Sequence, residues 1–136
     1  MSIRTAILIL SILLISCSDL GVESDRQVSI LTDRESYSVG QSITIVTYNV
    51  LEDNIILSPC CSSPDFRRQQ KINGVWSPPG YCLALCPSQN IPLNSGSNRV
   101  DTLTSLSTGH WRIMLRYQNK RTLRIDSVFS NEFTVQ

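Results

Sequence analysis

Between Ser42 and Val50 the side chains fall into two alternating sets, Ile43, Ile45 and Thr47 on one side and Thr44, Val46, Tyr48 and Val50 on the other. β-branched residues are stiff at χ1 and pack well on a pleated surface, so this density of them predicts a strand rather than a helix. The same period of two recurs along the chain. Gln27 to Asp33 puts Val28, Ile30 and Thr32 on one face, and Asn54 to Ser58 forms a short strand that runs into Pro59. Phe66 to Ile72 predicts a polar edge strand, with Arg67, Arg68 and Lys71 discouraging edge-to-edge pairing. Arg99 to Ser107 sets Val100, Thr102, Thr104 and Leu106 against Asp101, Leu103 and Ser105. His110 to Gln118 alternates better, Trp111, Ile113, Leu115 and Tyr117 against Arg112, Met114 and Arg116. The first-named set of each pair is predicted to face the core and the second to face solvent. Thr122 to Asp126 and Asn131 to Gln136 supply the last strands, with Phe129, Phe133 and Val135 to bury.

Turn chemistry separates these runs. Ser36 to Gln41, Asn49 to Asn54 and Asn119 to Arg121 read as connections, and Ser88 to Asn98, rich in Pro, Asn, Ser and Gly, reads as a loop. Proline at both ends of Pro59 to Pro64 argues for a corner, since proline cannot donate to a continuous ladder. Asn73-Gly74, between Ile72 and Val75-Trp76, is the strongest hairpin signal present. Ser77-Pro78-Pro79-Gly80 ends that hairpin, and Tyr81 to Cys86 is a short apolar run stopped by Pro87. Seven to nine short strands, with a turn signal every 8 to 12 residues, are the profile of an antiparallel β-sandwich.

The start of the chain follows a different pattern. Met1-Ser2-Ile3-Arg4 carries one positive charge, and Thr5 to Ile15 is apolar but only eleven residues long. A membrane-spanning helix needs roughly 20. A charged start, a short apolar core and a small residue at the cut mark a secretory signal peptide. Leu14-Ile15-Ser16-Cys17 resembles the lipobox of bacterial lipoproteins. That resemblance implies a diacylglyceryl group on the Cys17 thiol, cleavage before Cys17, and acylation of the new amino terminus. One acyl chain binds a membrane only marginally, whereas two or more hold stably. The expected organisation is a removed signal peptide at 1–16, a lipidated Cys17 with a polar tether at 17–26, and one domain at 27–136. Ser18 after Cys17 is compatible with sorting to an outer membrane.

Within that domain four stretches resemble bacterial immunoglobulin-like domains. Tyr37-Ser38-Val39-Gly40-Gln41-Ser42-Ile43-Thr44-Ile45, followed by Asn49, is similar to their opening motif. Gly74-Val75-Trp76 matches a mid-domain G-x-W. Gly109-His110-Trp111-Arg112-Ile113 is similar to the penultimate strand, with Trp111 where Tyr is usual, and Ser130-Asn131-Glu132-Phe133-Thr134-Val135 to the closing one. The resemblance covers Val28 to Gln136 and implies an all-β, immunoglobulin-like antiparallel β-sandwich in an exported, surface-attached protein. It implies no single activity, because function lives in sites grafted on folds. The antibody-type Cys…Trp…Cys spacing is absent.

Charge narrows the partners. Lys plus Arg is 12 and Asp plus Glu 11; without Arg4 the side chains balance. Balanced charge gives no reason to expect nucleic acid. Setting Cys17 aside leaves Cys60, Cys61, Cys82 and Cys86, an even number in a chain sent to an oxidising compartment. Three pairings are open. A bond between the neighbours Cys60 and Cys61 would strain the peptide between them, and either other pattern ties the 60–61 corner to the 82–86 segment. The alternative use of these cysteines, a tetrahedral metal site, lacks the spacing of paired zinc knuckles.

No phosphate loop, nucleophile elbow or His-Glu-x-x-His motif is present. His110, the only histidine, falls on the solvent phase of its strand and reads as structural. Arg112 and Arg116, with Arg124 as a third member, predict a basic stripe suited to an acidic partner or lipid headgroups. The resulting expectation is a non-enzymatic, lipid-anchored envelope module without a cofactor, with the membrane and an envelope protein as partners. A proteinase inhibitor acting through braced loops, and a metal-handling lipoprotein, are the alternatives.

Overall fold

In the computed structural model, which describes residues 27–104 and 106–136, one strand organises the sheets. β11 (Gly109–Asn119) is bonded along both edges. On one side its first half pairs β13 (Phe133–Val135) and its second half pairs β12 (Ile125–Phe129). On the other side β7 (Arg67–Ile72) pairs residues 111–114, and β4 (Ile55–Leu57) pairs residues 117–119. β9 (Ile91–Leu93) extends this sheet beyond β4, β8 (Val75–Trp76) extends it beyond β7, and β2 (Ser36–Tyr37) joins β13 in parallel. The second sheet has the order β1-β3-β10, from Val28–Thr32, Ile43–Asn49 and Asn98–Leu103, all antiparallel. A two-residue ribbon, β5 (Pro59–Cys60) with β6 (Ser63–Pro64), stands apart.

The core lies between the two sheets. Val28, Ile30, Ile43 and Ile45 from one sheet meet Ile55, Leu57, Ile113, Leu115 and Phe133 from the other. Each fully buried aliphatic side chain stabilises the fold by about 1.5–3 kcal/mol relative to exposure. Tyr37 closes one end, its ring edge-on to Phe133 with centroids 5.5 Å apart. Asn49 ties the sheets together. Its fully buried amide donates to the carbonyls of Asp53 and Leu93 at 2.9 and 3.1 Å, while its oxygen accepts from the Leu51 N–H at 3.2 Å. The chain is an all-β, immunoglobulin-like antiparallel β-sandwich. Nine of its described strands have three or more residues, and the other four are two-residue bridges.

Several expectations need correction. Ser36-Tyr37 is a strand rather than turn, because Tyr37 is core and its backbone pairs with β13. β7 is an edge only in its first half, since β8 folds back on Lys71 and Ile72. Ser88 to Asn98 contains a strand, β9, which buries Ile91 and Leu93. In β10 the phase is inverted: Val100 is 61% exposed, whereas Leu103 packs on the core. Leu106 reaches the core from beyond the end of that strand, outside its alternation. Met114 is buried on the outer face, where Arg67 and Phe129 stand directly across from it. The strand expected at Thr122 to Asp126 starts at Ile125, and Phe129 lies on the outer face rather than in the core. The hairpin at Asn73-Gly74 is present, with φ of 50° and 80°, the left-handed pair a tight two-residue turn requires.

Candidate binding site at the bridged loop

β4 leads directly into the ribbon that carries Cys60 and Cys61. Cys60 is bonded to Cys82, with Cα atoms 5.7 Å apart, and Cys61 to Cys86, with Cα atoms 5.4 Å apart. Cys61 takes a positive φ of 59° at the tip of the ribbon, which sends the neighbouring cysteines toward different partners. The Gln89 N–H donates to the Cys61 carbonyl at 3.3 Å, so the segment after the bridges is also held. The stretch between Ser77 and Pro87 has no regular ladder, yet it is pinned at Cys82 and Cys86. Between and beside those pins stand Tyr81, Leu83 and Leu85, exposed by 75%, 89% and 105%.

This loop forms one wall of a cleft of about 380 Å³. The opposite wall is Asp101, Thr102 and Leu103 of β10, and the floor is Phe66 with Arg67 and Arg68 of β7. The cleft therefore opens between the two sheets. Asp65 is buried and receives the Arg67 Nε–H at 2.7 Å, and the Arg67 guanidinium also lies 5.3 Å from the Tyr81 ring centroid. Asp101 receives Arg99 at 2.8 Å. Arg68 is exposed and, among the described residues, has no salt bridge.

The outer face of the larger sheet holds the residues expected to make a basic stripe. Arg112 is stacked between two aromatic rings, 4.3 Å from the Trp76 centroid and 4.2 Å from that of Phe129. Its Nε–H also donates to Gln69 Oε1 at 2.9 Å. Lys71 Nζ also lies over the Trp76 ring, 5.1 Å from its centroid. Arg116 is half-buried on the same face, without a salt bridge among the described residues. Arg124 does not join them. It is ion-paired with Asp126 at 3.0 Å and shares the phase of that residue, which stands opposite inward-facing Tyr117. Arg112 is thus engaged in a cation–π stack that covers the sheet, a use invisible without knowing which rings flank it. His110 Nε2 contacts Glu132 Oε2 at 2.8 Å, and this hydrogen bond, aided by Lys71, holds the Glu132 carboxyl below the usual range.

Cys17, the signal peptide and the tether lie outside the described residues. Among the described residues no group of three or more His, Cys, Asp or Glu is placed to hold a metal ion. No helix there is long and apolar enough to cross a membrane. Nothing in this arrangement favours the metal-handling or the inhibitor alternative.

No family model matches the chain, and no curated protein matches it. Among solved structures it is similar to the solution NMR structure of the CARDB domain of PF1109 from Pyrococcus furiosus. The identity is 12% and the TM-score 0.38, over 80% of this chain and 94% of that one. A likeness at that level adds nothing to the assignment of function.

Proposed function

We propose that this protein is a non-catalytic binding module of the bacterial cell envelope, held to a membrane by lipid on Cys17, that recognises a partner through the bridged loop. The observation that carries the recognition surface is the exposure of Leu83 and Leu85 on a segment pinned by two disulfides. Loops carry function when a rigid scaffold positions them. Burying either leucine on association would contribute up to about 1.5–3 kcal/mol. The bridges cut the ordering cost that a free loop incurs on binding. The disulfides also support export, since such bonds persist in oxidising compartments. Support for the anchor is the sequence alone: a signal-like apolar run ending in Leu14-Ile15-Ser16-Cys17.

Two experiments separate the halves of this reading. Cys17→Ala is expected to abolish incorporation of labelled fatty acid and to shift the protein out of the membrane fraction. Continued acylation would remove the anchor. A photo-reactive residue placed at Leu85 is expected to cross-link to one discrete envelope component, and Leu83→Ser is expected to weaken that product. A loop that forms no product in cells is not the recognition surface.

A further inference from the structure

The two edges of the smaller sheet are treated differently. At the β1 edge the Thr32 N–H donates to Asn131 Oδ1 at 2.8 Å, so the link between β12 and β13 caps that end of it. β10 pairs only with β3, and among the described residues nothing bonds its other side. The register shows which groups that leaves. The Asn49 N–H donates to the Ser97 carbonyl at 2.9 Å, and Thr47 pairs with Arg99, Ile45 with Asp101 and Ile43 with Leu103. In an antiparallel ladder successive residues bond to alternate sides. Arg99, Asp101 and Leu103 therefore bond to β3, and the N–H and C=O groups of Asn98, Val100 and Thr102 face outward. An unpaired strand edge is a template for another chain.

Here the edge is the wall of a slot. Thr102 and its neighbours face the bridged loop across the cleft of about 380 Å³, a volume at the small end for ligand sites, which run to roughly 300–1,000 Å³. A folded sheet brought edge to edge would meet that loop, whereas a single added strand needs room only at the usual strand spacing of about 4.7–4.9 Å from β10. Arg99 and Asp101 point inward from β10 and, as inward charges do, further discourage pairing with a second sheet. The slot's two carboxylates, Asp65 and Asp101, are neutralised by Arg67 and Arg99, which leaves the charge of Arg68 unmatched. Phe66, Tyr81 and Leu83 supply apolar surface beside it.

We infer that β10 receives an extended peptide segment of a partner protein as an added strand, with a carboxylate of that segment on Arg68 and aliphatic side chains against Tyr81 and Leu83. Main-chain bonds to Val100 and Thr102 supply affinity, and the side-chain positions supply selectivity, as in other strand additions. This rests on the reading of the bridged loop as a recognition surface and names what it recognises.

The probe is a capped, fluorescent heptapeptide that alternates valine with threonine and carries one central aspartate. Full-length protein in detergent is expected to bind it saturably. Thr102→Pro removes an outward N–H, which an edge strand tolerates, and is expected to weaken binding at least about tenfold. A peptide N-methylated along one edge tests the same ladder without altering the protein, and is expected not to bind. Replacing the aspartate by asparagine is expected to cost about tenfold at low salt, and Arg68→Gln is expected to erase that difference. The inference is overturned if millimolar peptide does not bind, or if Thr102→Pro and N-methylation leave binding unchanged. It is also overturned if the protein sediments as a dimer that Thr102→Pro dissociates, since the edge then belongs to a second copy. Loss of the Leu85 cross-link on Leu83→Ser, with Thr102→Pro without effect, would keep the recognition surface and discard strand addition.

Discussion

Leu115 and Leu85 are the same residue in opposite circumstances. Leu115 sits in the middle of β11, fully buried, on a strand bonded along both edges. Leu85 stands in solvent on a segment with no ladder, between cysteines that are bridged elsewhere. The first region is ordered by burial and hydrogen bonds, the second by covalent closure. A cross-link stabilises chiefly by restricting the unfolded chain, in the chain-entropy account, and so can hold a segment that buries little. The contrast teaches that order and burial are separable here. The bridged loop keeps its apolar groups available because its order does not depend on burying them.

The largest expected effect tests that separation directly. Leu115→Ala is expected to destabilise the fold by about 2–5 kcal/mol, the cost of a core cavity plus lost transfer energy. Leu85→Ala is expected to stay within about 0.5 kcal/mol of the parent, as exposed substitutions do. Urea denaturation of both variants measures the difference, and similar losses would break the comparison. Next in size is removal of both bridges. Replacing Cys60, Cys61, Cys82 and Cys86 by serine opens the segment that the two bridges jointly close, with sequence separations of 22 and 25, and the chain-entropy model gives about 3 kcal/mol for one such closure. Limited proteolysis of the same variant is expected to nick the chain between Ser77 and Pro87 first. Cleavage elsewhere would mean that the bridges do not hold this segment.

How much of this was legible depended on whether the cause was local. β3 and the inner face of β11 could be read because alternation of β-branched and aromatic residues is a local signal. So could the Asn73-Gly74 hairpin, whose geometry its own two residues dictate. β2 was hidden because its partner, β13, lies at the far end of the chain. β9 was hidden by Pro92 at its centre, which is tolerated because β9 bonds only to β4 and needs no donor on its other side. Tyr81 to Cys86 is a short apolar run by composition, yet Tyr81, Leu83 and Leu85 face water. The cleft was not readable at all, since Arg68 and Thr102 are brought together only by the packing of two sheets. The four domain cysteines pointed to the loop that lines the cleft; they could not say that β10 lines it too.

The buried region also contains one polar group that fits it poorly. Thr47 is fully buried in β3, and its Oγ1 has no hydrogen-bond partner among the described residues. An unsatisfied buried hydroxyl carries a desolvation penalty of about 1–3 kcal/mol, whereas its apolar isostere carries none. Thr47→Val keeps the branching that suits a strand. It is expected to raise stability by about 1 kcal/mol, read as a higher urea midpoint at an unchanged slope. A lower midpoint would show that the hydroxyl is satisfied, and that the core is more polar than its packing indicates.

The smallest effect lies at the edge of the core and appears only in acid. Asp33 Oδ1 accepts the Tyr37 hydroxyl at 2.6 Å and the Thr44 N–H at 3.1 Å. The Tyr37 bond, ahead of the backbone bond from Thr44 and the charge of Arg34, holds the Asp33 carboxyl below its ordinary value of 3.8, against a smaller opposing push from burial. A carboxyl depressed by folding adds stability above its unfolded pKa, and that contribution is lost as pH falls through the folded value. The parent is therefore expected to lose stability more steeply than Asp33→Asn as pH drops below about 4, while the two curves run parallel near neutrality. Asparagine retains an oxygen to accept from Tyr37, so the ring stays over Phe133 and the test isolates charge from packing. Urea midpoints measured from pH 6 down to the acid limit of folding decide it. Parallel curves throughout would mean that Tyr37 is held by its buried ring alone. The polar tip would then resemble the bridged loop, ordered by something other than the bonds it makes.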